Sequence, residues 1–129
     1  MITPELKDRV LSAMVNTGHM NIELFLLEFS ASLNIEMDVL DAILSNFERL
    51  NICSVHRCFG GKVNVMLHAE AHDMVRLGGF TAQDELLKKN IEKLLLELES
   101  LKPNFPERAE RISGIIGGIS AALSLFIRQ

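Results

Sequence analysis

The chain closes on "RISGIIGGISAALSLFIRQ", in which the sixteen residues from Ile112 to Ile127 run between two arginines without a charge. Such a stretch either crosses a membrane or is buried against protein. A span needs roughly 20 apolar residues for a hydrocarbon core about 30 Å thick, whereas sixteen helical residues reach only ~24 Å. Six of the sixteen are Gly or Ser. The rest are sorted by face. Ile112, Ile116, Ile119, Leu123 and Phe126 form one stripe, and Ser113, Gly117, Ser120 and Ser124 form a small, partly polar one beside it. Gly114 and Gly118 make a GxxxG, which also pairs membrane helices, but the length argument sets a membrane span aside. A water-soluble helix of this kind needs a cover.

"TAQDELLKKNIEKLLLELESLK" supplies it. Leu87, Ile91, Leu94, Leu98 and Leu101 recur at steps of 4, 3, 4 and 3, a coiled-coil-like seam. Thr81 and Asp84 read as a capping box at its start. "KPNFPE" breaks the helix, and Asn104 with Glu107 reads as a second box around Pro106. The two helices therefore form an antiparallel hairpin. A hairpin alone still leaves apolar surface in water. The expectation is a homodimer, or a higher oligomer built from it, held by Leu87, Ile91, Leu94, Leu98, Ile112, Ile116, Ile119, Leu123 and Phe126.

The front of the chain is organised differently. Thr3-Pro4 starts a helix, with Leu6, Val10, Ala13 and Met14 on one face and a stop near Gly18. A second helix is expected from Asn21, carrying Leu24, Phe25, Leu27 and Phe29, and breaking at Leu33-Asn34-Ile35. A third runs from about Glu36 to Leu50, with Val39, Leu40, Ile43, Leu44, Phe47 and Leu50 inward. The period then changes to two. "ICSVHRC" and "VNVMLH" alternate around "FGG". A three-residue loop Phe59-Gly60-Gly61 sets Val55 opposite Val65 and Cys53 opposite Leu67, so that both strands present apolar side chains to one face; Ser54, His56, Cys58, Lys62 and Asn64 take the other. A two-residue loop would mix the faces. "AEAHDMVRLGG" is a short helix ended by glycine. The boundary falls at Gly78-Gly79, giving a domain over 1–79 and the hairpin over 80–129.

Helix, helix, turn, helix and a two-stranded hairpin with a glycine tip is the layout of a winged helix. Residues from "FLLEFSASLNIEMDVL" to "VNVMLHAEAHD" resemble the winged helix-turn-helix superfamily, over about 60 residues. Ile35 sits in the turn, Ile43 and Phe47 in the core, and Leu50-Asn51-Ile52 leads into the wing. "LHAEAHD" is similar to the family's Leu-Thr-x-x-Gly. Asn51 and Ala71 stand where Gly is common. "GGFTAQDELLKKNIEKLLLELE" resembles segments of small bacterial and prophage winged-helix proteins, a likeness that implies no activity. The fold class is thus mainly α with a small β-hairpin, a winged helix followed by an antiparallel two-helix hairpin.

The resemblance implies a regulatory role in which the third helix enters the major groove of duplex DNA. Its outward residues are Asp38, Asp41, Ser45, Glu48 and Arg49, three of the five acidic, and phosphate attraction comes from Lys and Arg. The wing offers His56, Arg57 and Lys62, and the first helix Lys7 and Arg9. Residues 1–80 carry 6 basic and 10 acidic side chains, and the formal charge of −4 does not favour nucleic acid. The alternative is a protein-interaction winged helix, an adaptor whose acidic third helix meets a basic partner and whose Phe59 anchors in a pocket.

Catalysis and cofactors find no support. His68 and His72, with Asp73 adjacent, do not easily converge with Cys53 and Cys58 in the register above, and C-x4-C is not a zinc spacing, so no metal is expected. His56 and Cys58 lack an orienting third group. Gly60-Gly61 precedes a strand, which excludes a phosphate loop. The carboxylates of the third helix lie along one open side, not as an enclosed acid–base pair. Two cysteines are too few for a disulfide scaffold and read as reduced thiols. The start "MITPELKDR" shows no signal peptide. The expected location is the cytoplasm.

Overall fold

The computed structural model describes residues 2–127, with side chains as far as Leu125. The chain divides into two units, Met1–Ala82 and Gln83–Gln129. The first contains α1 (Pro4–Val15), β1 (Asn21–Phe25), α2 (Leu26–Leu33), α3 (Met37–Arg49), β2 (Cys53–Arg57), β3 (Lys62–Leu67), α4 (Ala69–Arg76) and the start of α5 (Gly79–Leu101). The second holds the rest of α5 and α6 (Ala109–Ile127). The order of elements in the first unit is that of a winged helix.

Thr3 starts α1 as expected, its hydroxyl accepting from the Leu6 amide at 3.1 Å, with Pro4 in the first turn. Val10, Leu11 and Met14 are buried. The next segment departs from the reading. Asn21–Phe25 is a strand, not the first turn of a helix, and it pairs antiparallel with β3: Ile22 opposite Val65, Leu24 opposite Val63. The edge of β3 not used by β2 needs a partner for its backbone groups. The alternation of Asn21 and Glu23 with Ile22 and Leu24 lets this segment supply one while Ile22 is buried. The sheet therefore has three strands in the order β1-β3-β2, one more than the expected hairpin.

Helix α2 begins only after Phe25, and Asn34 ends it in the left-handed conformation (φ 55°), with Ile35 N–H donating to the Ser30 carbonyl at 2.9 Å. Helix α3 buries Leu40, Ile43, Leu44 and Phe47 completely. At about 1.5–3 kcal/mol for each fully buried side chain, this row anchors the unit. Leu50 was expected inward with them. It is half exposed, because it caps α3 and the chain turns away there. Asn51 then takes φ 61°. A left-handed residue between helix and strand is the physical reason that Gly is common at this place, and Asn is the other residue that visits the region at low cost.

The wing register is the expected one, with Val55 opposite Val65 and Cys53 opposite Leu67. Gly60 and Gly61 both take φ 76° at the tip. Cys53, Val63, Val65 and Leu67 close the core beneath α3.

The start of α5 differs from the expected Thr81–Asp84 box. The helix begins at Gly79, and its cap comes from α1. The Asp8 carboxylate accepts from the Phe80 amide (2.6 Å), the Thr81 amide (3.1 Å) and the Thr81 hydroxyl (2.6 Å). Phe80 is thereby set on Phe47, ring centroids 5.6 Å apart and nearly parallel, with Lys7 Nζ 5.1 Å above its centroid.

In the second unit α5 and α6 form the hairpin. The connection is two 3-10 turns, Lys102–Asn104 and Pro106–Arg108, with Phe105 between them. The expected second capping box does not form: Phe105, which has no side-chain acceptor, stands at the cap position, and the turn is held by backbone bonds such as Arg108 N–H to the Phe105 carbonyl at 2.9 Å. Among the described residues no helix is long and apolar enough to cross a membrane.

Candidate partner interface on the third helix and the wing

Strand alternation decides what Arg57 does. It shares parity with Cys53 and Val55, so it belongs to the column facing α3, opposite Val63. Past the end of the core, the guanidinium reaches over α3. Its Nε donates to Asp41 Oδ1 at 2.9 Å, Nη1 to Glu48 Oε1 at 3.2 Å, and Nη2 to Ser45 Oγ at 2.9 Å. Asp41, Ser45 and Glu48 are spaced four and three apart, hence on one helical face, and the planar fork spans them. The hydrogen bond to Asp41 raises the guanidinium's already high pKa, burial opposes it, and Glu48 adds to the rise.

This corrects the picture of Arg57 as a free cation of the wing. Of the residues expected to contact DNA or a partner, Asp41, Ser45 and Arg57 come together as one clamp, joined by Glu48. Lys62 is on the outer face, its Nζ 3.1 Å from Glu23 Oε1 on β1. Both basic residues of the wing are thus neutralised by carboxylates of their own unit. A helix over this segment would not bring Glu23 to Lys62; the strand does, and its signal in the sequence is the alternation of Asn21 and Glu23 with Ile22 and Leu24.

The remaining residues stand apart. Asp38 is exposed in the first turn of α3, one carboxylate oxygen accepting from the Val39 amide. Arg49 is exposed in the last turn. His56 lies on the outer face of the sheet opposite Asn64. Phe59 does not fold back over the wing: it is fully in water at the tip, at 102% relative exposure.

The histidines and cysteines have separate surroundings. His68 Nδ1 is 3.0 Å from the Asn51 carbonyl, to which it donates, and Nε2 is 2.9 Å from Ser54 Oγ. It braces the left-handed turn against the end of the wing. His72 lies against Met20 sulfur. Cys53 is buried, and desolvation pushes its thiol pKa from 9.0 up to about 11, with Glu48 adding and Arg57 opposing. Such a thiol is inert in the folded chain.

In the second unit, Ile91, Leu95 and Leu98 of α5 are half-buried, as are Ile112, Ile116, Ile119 and Leu123 of α6. The α5 stripe that packs is thus Ile91-Leu95-Leu98. Leu87, Leu94 and Leu101, the other members of the expected seam, are exposed, because one helix can face only one neighbour within the hairpin. The side chain of Phe126 lies outside the described ones. Among the described residues of this unit none is buried.

No family model matches the chain, and no curated protein matches it. Among solved structures, it is similar to MepR, a transcription regulator of the Staphylococcus aureus multidrug efflux pump MepA, at 16% identity and a TM-score of 0.47, over 83% of this chain and 78% of that one.

Proposed function

We propose that this chain is a non-catalytic winged-helix regulatory module that acts as a homodimer in the cytoplasm, with residues 80–129 as its dimerisation element and the α3–wing face as its contact surface. The observation that carries the dimer is the absence of any buried residue among the described ones of the second unit. Leu86, Leu87, Leu94, Leu96, Ile115 and Leu125 are each 44–72% exposed. Isolated segments of this size do not bury enough apolar surface to stay folded alone, and continuous apolar faces mark association. A second copy brings the same surface about a two-fold axis and builds a four-helix arrangement.

For the contact surface, duplex DNA is the partner that a winged helix is shaped to meet, α3 entering the major groove. Arg49, His56 and Lys62 would then face it, and each phosphate neutralised contributes about −0.9 to the slope of log K against log salt. The alternative, a protein partner, is favoured by a specific observation: Arg57 and Lys62 are already paired with Asp41, Glu48 and Glu23. Titration of the full chain into random duplex at low and then moderate salt separates the two. Binding that falls steeply with salt supports DNA. No binding at either salt supports the protein partner.

A further inference from the structure

A groove of about 410 Å³ lies between the first turns of α2 and α3 and the wing tip. Its walls are Phe25, Leu27 and Met37, with Gly60 and Gly61 on one side and Glu28 on the other. The three apolar side chains are 46, 68 and 41% exposed, although each belongs to the best-packed unit of the chain. Phe25 holds the cap position of α2, where no side-chain hydrogen bond forms, so a polar residue that would have served the helix is absent and an apolar one faces water. Gly60 and Gly61 form its wall on the side of the wing tip.

The charges around it have one sign. Glu28 lines the groove, and Asp38 follows Met37 in the first turn of α3; Glu36, which precedes Met37, lines a separate hollow with Ser30, Asn34 and Ile35. None of the three is in an ion pair among the described residues, whereas the neighbouring cation Lys62 is held by Glu23. An apolar floor with an acidic rim repels a phosphate backbone or an anionic lipid surface, and it complements a cationic segment with a large apolar side chain.

We propose that this groove docks a cationic amphipathic segment of another protein, an apolar anchor seating among Phe25, Leu27 and Met37 while Lys or Arg on its flanks meets Glu28 and Asp38. The proposal rests on the reading of the chain as an interaction module and names the partner's chemistry for its protein-contacting form.

The test uses the full chain, labelled for amide spectra, and three synthetic 14-residue probes: an amphipathic Leu/Lys helix, a scrambled peptide of the same composition, and a Leu/Glu counterpart. The amphipathic Leu/Lys peptide is expected to shift amides of residues 25–28, 36–38 and 60–61. Its affinity should fall about tenfold in Leu27→Gln, as for loss of an anchor, and severalfold in Glu28→Lys, with helical content unchanged in both. The scrambled and Leu/Glu peptides should do neither. Equal effects from the scrambled peptide, shifts confined to residues 83–125, or an unchanged affinity in Leu27→Gln would each overturn the proposal. So would dissociation of the free chain's oligomer by Leu27→Gln, which would make a second copy the occupant. Salt-sensitive duplex binding without peptide binding sinks this proposal alone and leaves the module reading standing.

Discussion

Removing Arg57 tests whether the wing is latched to α3 by charge. In Arg57→Ala, three hydrogen bonds from one guanidinium are lost, to Asp41, Ser45 and Glu48. The partners are partly in water: the side chains of Arg57, Asp41 and Glu48 are 40, 45 and 35% exposed. Exposed pairs are worth about 0.2–1 kcal/mol each, and hydrogen bonds to charged groups reach about 1.5–3 kcal/mol only when shielded. Taking roughly 0.5 kcal/mol for each of three contacts gives a loss of about 1.5 kcal/mol. For a unit of this size that lowers Tm by roughly 6–12 °C. The chain has neither Trp nor Tyr, so the assay is labelling of Cys53 in a Cys58→Ser background across a urea series; the buried thiol reacts only when the first unit opens. Urea leaves ion pairs unscreened, and salt should shrink the effect. A double-mutant cycle with Asp41→Ala should return a coupling of about 0.5–1 kcal/mol. A coupling indistinguishable from zero, with Arg57→Ala as stable as the parent, would refute the latch and return Arg57 to the pool of free wing cations.

Other outcomes follow from the same structure. Asp8→Ala should cost about 2 kcal/mol, since it strands the Phe80 and Thr81 amides; Gly79→Ala should also destabilise, because φ is +78° and the Asp8 carboxylate occupies the space of a Cβ. Urea midpoints check both. Asn51→Gly should change stability by less than about 0.5 kcal/mol, whereas Asn51→Val at φ 61° should cost about 1–2 kcal/mol. The raised Cys53 pKa has a definite sign. Below pH 9 the thiol is protonated in both states, and between 9 and about 11 only the unfolded chain releases its proton. Stability should therefore fall as pH rises through that window, by about 2 kcal/mol at most, and the fall should lessen in Cys53→Ala when urea midpoints are compared at pH 8 and pH 10.5.

Much of the first unit was legible because local chemistry and burial agree there. The wing register follows from one glycine tip and two alternating strands, and the break at Asn34 from a single left-handed residue. β1 was illegible for a definable reason: "NIELFLLEF" places apolar residues at spacings that suit a helix as well as a strand, and the unpaired edge of β3 decides between them. The Asp8 cap joins residues 72 and 73 apart, beyond any local pattern. Arg57 could have been placed by parity alone, since the alternation that puts Cys53 and Val55 inward puts it inward too. Its acceptors needed the packing of α3 against β2. In α5, "LLLELE" offers apolar residues on more than one face, so periodicity could not say whether Leu94 or Leu95 meets α6; the half-buried Leu95 does.

The central claim is that the hairpin of residues 80–129 is completed by a second copy of this chain. Sedimentation equilibrium of the purified full chain, without detergent and over micromolar concentrations, tests it most directly. Twice the 14.4 kDa chain mass, or a larger even multiple, is predicted, falling toward one chain in Leu87→Asp/Leu94→Asp. A well-dispersed species of 14.4 kDa over the whole range would contradict it.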